Sequence, residues 1–77
     1  MSNGTENVLV GSVTGKATLA MKELLDQKNI PYRFVTYDDN KLKMIELNIR
    51  IVPVLLVYND GILKQVLNIS EIENGTL

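Results

Sequence analysis

The sequence predicts an α/β domain with elements in the order βαβαββ and a short third helix at the end. Two segments with helical spacing of apolar residues each follow a short strand-like run, which is typical of a βαβ unit. The motif Asn59-Asp60-Gly61 then separates two further apolar runs and predicts a hairpin. Since a βαβ unit pairs its strands in parallel and a hairpin pairs them antiparallel, we expect a four-stranded mixed sheet flanked by helices.

The composition is that of one small domain that lacks two of the residue types most used in catalysis and metal binding, cysteine and histidine. The chain has 77 residues, 45% of them hydrophobic, with a net charge of −1 and no clustered basic residues, which argues against nucleic acid as a partner. Cysteine and histidine are absent, so thiol and imidazole chemistry are excluded. We expect a disordered tail over residues 1–6 and a single domain over residues 7–77. A polar start and no long apolar run predict a cytoplasmic protein without a membrane segment.

The first strand and helix are predicted from residues 7–28. Residues 7–12 are nearly all apolar, as in a strand that is buried on both faces. The following apolar residues recur at spacings of three and four, and they predict one buried helical face: Ala17, Ala20, Met21, Leu24 and Leu25. We expect Ser12 or Thr14 to cap this helix, and we expect it to end near Lys28.

The second strand and helix follow in the same way. Residues 30–37 are rich in aromatic and β-branched side chains and predict a strand. Asp38, Asp39 and Asn40 then form a cluster that we expect to cap a shorter helix. The apolar residues of this helix indicate which face is buried: Leu42, Ile45 and Ile49, with Met44 and Leu47 on the flanks.

The last third of the chain predicts two strands and one or two helical turns. Residues 50–58 form a strand that is interrupted early by Pro53, and residues 62–66 form its hairpin partner. Residues 70–77 are too few for a long helix, and we expect Ser70 to cap this segment and Gly75 to end it. The apolar surface that such a short helix leaves uncovered favours a protein partner or a homodimer: Ile62, Val66, Leu67 or Ile69.

The segment VLVGSVTGKAT, residues 8–18, resembles a phosphate-binding loop only in part. Gly11 and Gly15 are separated by three residues instead of four, and Lys16 is followed by Ala17 where such a loop has a hydroxyl. Nucleotide hydrolysis is therefore disfavoured. Binding of an anion at the start of the helix stays open, because free N–H groups and Lys16 favour negative charge there. The simplest interpretation is that the glycines permit a tight turn.

Several motifs together resemble the thioredoxin-fold superfamily, in particular glutaredoxins and glutaredoxin-like hydrogen donors of ribonucleotide reductase. The helix segment Thr18–Leu25, the loop that ends in Ile30-Pro31-Tyr32, the pair Val52-Pro53 and the Asn-Asp-Gly turn carry this resemblance. It covers about residues 7–66. It implies a proline in cis that faces the active site and opens the third strand.

The resemblance also places the family's Cys-x-x-Cys at Gly15 and Thr18, where both thiols are missing. The chemistry of that family is thiolate attack on a disulfide, in which a hydroxyl is no substitute. The family's Gly-Gly pair for glutathione falls at Val66-Leu67, and neither residue is glycine. The resemblance therefore implies the fold without the redox activity, and we expect no enzyme, no cofactor and no metal.

The same resemblance implies a binding cleft where three loops meet. Its residues come from the start of the first helix, the loop with the proline and the loop before the last helix: Thr14, Gly15, Lys16, Ala17, Thr18, Val52, Pro53, Asn68 and Ile69. In the family, the backbone before the proline pairs with an extended peptide, and Val52 holds that place here. The first hypothesis is a non-catalytic protein-binding module with an accessory or inhibitory role. The alternative is a binder of a small anion or a glutathione-like ligand at the first helix.

Overall fold

Residues 4–76, described by a computed structural model, form a four-stranded sheet with helices on both faces. The strands are β1 (Thr5–Gly11), β2 (Arg33–Thr36), β3 (Val54–Asn59) and β4 (Ile62–Leu67), and the helices are α1 (Lys16–Gln27), α2 (Lys41–Glu46) and α3 (Ile69–Glu73). The strand order is β2-β1-β3-β4, with β1 parallel to β2 and both other pairs antiparallel. This confirms the predicted α/β fold class and mixed sheet, and the layout is compatible with a thioredoxin-like arrangement.

The strand β1 is central and begins two residues before its predicted start. Thr5 pairs with Asn59 and Glu6 pairs with Tyr58, so the antiparallel ladder extends into the segment that we assigned to a tail. The part of the tail prediction that concerns residues 1–3 lies outside the described residues, as does Leu77. No helix within residues 4–76 is long and apolar enough to cross a bilayer.

One face of the sheet packs against α1 and α3. Its buried core combines side chains from the strands and from both helices: Leu9, Met21, Leu25, Leu55, Val57, Leu67 and Ile72. The buried face of α1 consists of Thr18, Met21 and Leu25, whereas Ala17 and Ala20 are exposed, contrary to the prediction. The buried face thus includes Thr18, whose Oγ1 accepts a hydrogen bond from Ser12 N–H directly after β1.

The other face packs against α2, and here the predicted helical face is wrong. Met44 is fully buried against the sheet, whereas Leu42 and Ile45 are exposed. The helix is only six residues long, so a single inward position reaches the core. Asn48 then adopts a left-handed conformation with φ 59°, and Ile49 N–H bonds back to the Met44 carbonyl at 2.9 Å. The chain thus turns back to the sheet after one short helix.

Local turn chemistry explains the ends of the hairpin and the start of α3. Asp60 and Gly61 have φ values of 54° and 80°, which is the positive pair that a tight two-residue hairpin needs, so the hairpin is confirmed. The cap of α3 is Asn68, not the predicted Ser70. Asn68 Oδ1 accepts from Glu71 N–H, and Glu71 Oε1 accepts from Asn68 N–H, both at 2.9 Å. These two reciprocal hydrogen bonds satisfy two backbone N–H groups at the start of α3 that have no partner within the helix.

The short helix α3 covers more of the sheet than we expected. Leu67 is buried beneath it and Ile69 is half-buried against the same core, so neither belongs to an open apolar surface. Ile62 and Val66 remain exposed on the edge strand β4. The uncovered apolar surface of this strand is therefore smaller than the sequence suggested.

Candidate binding site

The loop from β1 to α1 is organised by Gly11 and Thr18. Thr18 is only 3% exposed, and its Oγ1 accepts a hydrogen bond from Ser12 N–H at 3.1 Å. A Cβ on Gly11 would lie 2.5 Å from the same oxygen, so no larger residue fits there without movement. The glycine permits close packing of strand and helix, and the Ser12 amide points inward. The first glycine of this loop therefore serves close packing, and the Ser12 amide is occupied by Thr18.

The start of α1 has no side-chain cap. Gly15 is the N-cap residue, and the predicted capping by Ser12 or Thr14 is wrong, because Ser12 bonds to Gly15 N–H only through its backbone carbonyl, at 3.3 Å. The first turn contains no acidic residue, and Lys16 is exposed. The first amides of the helix thus retain a weak preference for negative charge.

A groove lies between the loop that joins β1 to α1 and the segment that follows β2. It measures about 420 Å³ and is lined by residues from both sides and from the loop before β3: Gly11, Ser12, Val13, Thr14, Thr36, Tyr37, Asp38, Asp39 and Val52. We call it the acidic groove, because Asp38 and Asp39 are its only charged lining residues. Both are exposed. The groove therefore presents uncompensated negative charge beside apolar and hydroxyl-bearing side chains.

The two aspartates do not cap α2, contrary to the prediction. They form a 3-10 turn, Asp38–Asn40, in which Thr36 is the organising residue. Thr36 Oγ1 accepts from Asp39 N–H at 3.2 Å, and the Asn40 amide donates to the Thr36 carbonyl at 3.0 Å. In the part of the chain that the structure describes, the one ion pair joins Arg33 to Glu6 at 2.9 Å. α2 itself begins after Asn40 without a side-chain cap, and neither aspartate carboxylate makes a hydrogen bond within residues 4–76.

A second groove lies on the other side of the loop before β3, the loop that contains Val52. It measures about 680 Å³, with an apolar part formed by Ile49, Ile51, Pro53, Val54 and Val66 and a polar part formed by Asn48, Arg50, Asn68 and Glu71. We call it the apolar groove. Ile51 is 78% exposed and belongs to the apolar part of this groove. Arg50 and Glu71 carry opposite charges, so the lining of this groove has no net formal charge and a large apolar part.

The loop that links α2 to β3, residues 47–53, separates the two grooves. Its last two residues, Val52 and Pro53, are joined by a cis peptide bond. Val54 pairs with Val10 as the last residue of the β1–β3 ladder. Within residues 4–76, Val52 makes no backbone hydrogen bond. The Val52 N–H and C=O therefore have no backbone partner within those residues, and half-buried Val52 stands between Ile51 and Pro53, which line the apolar groove.

The predicted cleft residues are distributed over these two grooves instead of one cleft. Thr14 and Val52 line the acidic groove, and Pro53 and Asn68 line the apolar groove. The other predicted residues line neither: Gly15, Lys16, Ala17, Thr18 and Ile69. Thr18 is buried toward the sheet, and Ile69 packs on the core. The loop with Val52 and Pro53 is thus the central element of the site.

Sequence reasoning missed four residues that shape this site. Val13 is 71% exposed and lines the acidic groove, and Ile51 lines the apolar groove. Asp38 and Asp39 were assigned to helix capping. The available signals were an apolar residue within a polar loop and two consecutive acids where one cap suffices.

No protein-family model matches the chain, and a search of curated proteins finds no match. Within residues 4–76, no three acidic, histidine or cysteine side chains lie close enough together to hold a metal ion. The functional argument therefore depends on the geometry of the two grooves and the loop between them.

Proposed function

We propose that this chain is a non-catalytic, thioredoxin-like binding module that engages a protein partner across the Val52–Pro53 junction. The observation that carries the proposal is the open backbone of Val52, which lies between two grooves. An accessory or inhibitory role in the cytoplasm suits a small module of this kind. The missing thiols at Gly15 and Thr18 support a role that depends on binding and not on disulfide exchange.

The backbone of Val52 supports recognition of an extended segment. Backbone N–H and C=O groups form hydrogen bonds wherever they can, and an extended peptide offers both groups in alternation. Addition of such a segment to a free backbone edge is a common mode of peptide recognition. A partner strand at Val52 would complete hydrogen bonds that this chain leaves unmade.

The exposed apolar side chains beside Val52 support the same proposal. Val13 lies on the acidic side and Ile51 on the apolar side, and both are largely exposed. Full burial of one such side chain contributes about 1.5–3 kcal/mol. Single exposed apolar residues are ordinary, but these two line the grooves on either side of Val52, where a peptide that pairs with Val52 could cover both.

The alternative function is binding of a small anion or a glutathione-like ligand at the start of α1. The uncapped helix terminus and the exposed Lys16 favour it. The neighbouring acidic groove opposes it, because Asp38 and Asp39 share a groove with Thr14, which lies one residue before the helix cap. An anion that approaches from this side meets two carboxylates before one lysine. The geometry therefore supports the protein-binding function better.

A capture experiment with matched variants tests the proposed function. The tagged chain is used to capture partners from a host lysate, together with Ile51→Asp and Val13→Asp. Leu42→Asp is the control, because Leu42 is 79% exposed but lines neither groove. We expect the first two variants to lose a partner that the control retains. If both retain every partner, the grooves are not the binding surface.

A titration tests the alternative independently. Inorganic phosphate and glutathione are added to the ¹⁵N-labelled chain at millimolar concentration, and the amide signals of residues 15–18 are followed. Binding at the helix would shift these signals in the wild type and less in Lys16→Glu. If the signals do not move, this function is excluded.

A further inference from the structure

We infer that the partner segment is an extended peptide with a basic residue on one side of the position that pairs with Val52 and an apolar residue on the other. This inference deepens the proposed function and rests on it. The two grooves beside Val52 differ in charge. A peptide that pairs with Val52 therefore meets a different side-chain preference on each side.

The acidic groove selects the basic residue. Asp38 and Asp39 are exposed, and no lysine or arginine lines this groove with them. Lysine and arginine carry their charge at the end of a long apolar stem. Such a stem can pack along Val13 and Tyr37 while the charged end reaches the carboxylates. A glutamate at the same position of the peptide would be repelled.

The apolar groove selects the second residue. Its apolar surface comes from Ile51 and Val66, which are exposed, and from Pro53, which is half-buried. Arg50 and Glu71 stand on the same groove with opposite charges, so a charged side chain gains little there. An aliphatic or aromatic residue, by contrast, covers surface that is otherwise in water.

A peptide selection on the full chain tests this inference. Random blocked peptides are selected on the wild type, and the affinity of the best peptide is compared with that of a version in which each basic residue is glutamate. We expect a loss of about tenfold or more for the glutamate version, which corresponds to about 1.4 kcal/mol. We also expect binding of the basic peptide to weaken as salt rises.

Variants of the chain locate the effect. Asp38→Asn with Asp39→Asn should weaken the selected peptide by a similar factor and reduce the salt dependence. Asp60→Asn, in the hairpin turn outside the acidic groove, is the control and should bind as the wild type does. Circular dichroism confirms that each variant is folded.

The outcomes separate this inference from the proposed function. If peptides bind, depend on Ile51 and show no preference for basic residues, the inference is overturned and the proposed function stands. If no peptide depends on Ile51, both fail. If the chain instead forms a homodimer that Ile51→Asp dissociates, the occupant of the grooves is a second copy and the inference is overturned.

Discussion

Gly11 stands at the end of β1 because the side chain of Thr18 occupies the space that a Cβ would need. The distance from such a Cβ to Thr18 Oγ1 is 2.5 Å, and both residues are buried. Gly11, the first glycine in VLVGSVTGKAT, is thus explained by packing between a strand and a helix. The sequence shows the glycine but not the reason, because Thr18 reaches it only when α1 is placed against the sheet.

We expect Gly11→Ala to lower the free energy of unfolding by about 1–3 kcal/mol, as overpacking does in other cores. Urea denaturation measures this. In the double variant with Thr18→Ala, part of the loss should be recovered, since the closest atom is then absent. An alanine that is tolerated in the single variant would contradict the close approach.

The start of α1 allows a direct test of the resemblance at single residues. A Cβ on Gly15 would lie 3.3 Å from Thr18 Oγ1, so side chains at these positions meet. We expect Gly15→Cys with Thr18→Cys to form an intramolecular disulfide under mild oxidation, measured by loss of free thiol. Gly15→Cys with Ala17→Cys is the control. Equal oxidation of both pairs would contradict the placement of the family's Cys-x-x-Cys at Gly15 and Thr18.

At the scale of elements, the short helices show where local rules succeed and where they fail. The capping of α3 follows a local rule, but the residue that obeys it is Asn68, since Glu71 stands three positions later and returns the bond. The orientation of α2 follows no local rule. Its length and the left-handed Asn48 decide that Met44 alone points inward.

For α3 we expect Asn68→Ala to cost about 1 kcal/mol of stability, as the loss of an N-cap usually does. Ser70→Ala should change little, because Ser70 caps nothing in this helix. Thermal and urea unfolding of both variants measure the difference. A larger loss of stability for Ser70→Ala than for Asn68→Ala would instead support Ser70 as the cap.

For α2 we expect Met44→Ala to cost about 2–5 kcal/mol, as large-to-small changes in a core do. Ile45→Ala should stay within about 0.5 kcal/mol, because Ile45 is exposed. Urea unfolding of both variants distinguishes the observed face from the predicted one. The reverse order of the two effects would support the predicted face.

At the scale of the whole molecule, the two central strands have the most extensive pairing. β1 lies between β2 and β3, and β3 lies between β1 and β4, so these two strands are paired on both sides. Both also alternate buried residues between the two cores, as Leu9 does with Val8 and Val10. A domain of this size rarely has more than about 3–5 kcal/mol of net stability.

We expect hydrogen exchange to be slowest at the amides of β1 and β3, where exchange requires global unfolding. The amides of β2 and β4 that face outward from the sheet should exchange faster, because they lack a partner strand. Exchange followed by NMR measures each amide. Equal protection at the outer edge of β4 would indicate that another chain covers this edge.

Much of the fold could be predicted from residues that are close together along the chain. Asp60 and Gly61 determine the hairpin because both accept a positive φ, and this preference acts locally. The candidate site was less predictable. The resemblance predicts Val52 and Pro53 as part of a cleft, and these residues line the two grooves, whereas Ile51 and the two exposed aspartates became visible only in three dimensions.

The sequence by itself determined the order of the elements, the mixed sheet, the hairpin and the absence of thiol and imidazole side chains. Only the tertiary structure decided which faces of α1 and α2 are buried and that the loop before β3 divides two grooves of different charge. The physical reason is one of range. Turn chemistry and periodicity act between neighbours in sequence, whereas burial and the geometry of a groove depend on packing between segments that are far apart in the chain.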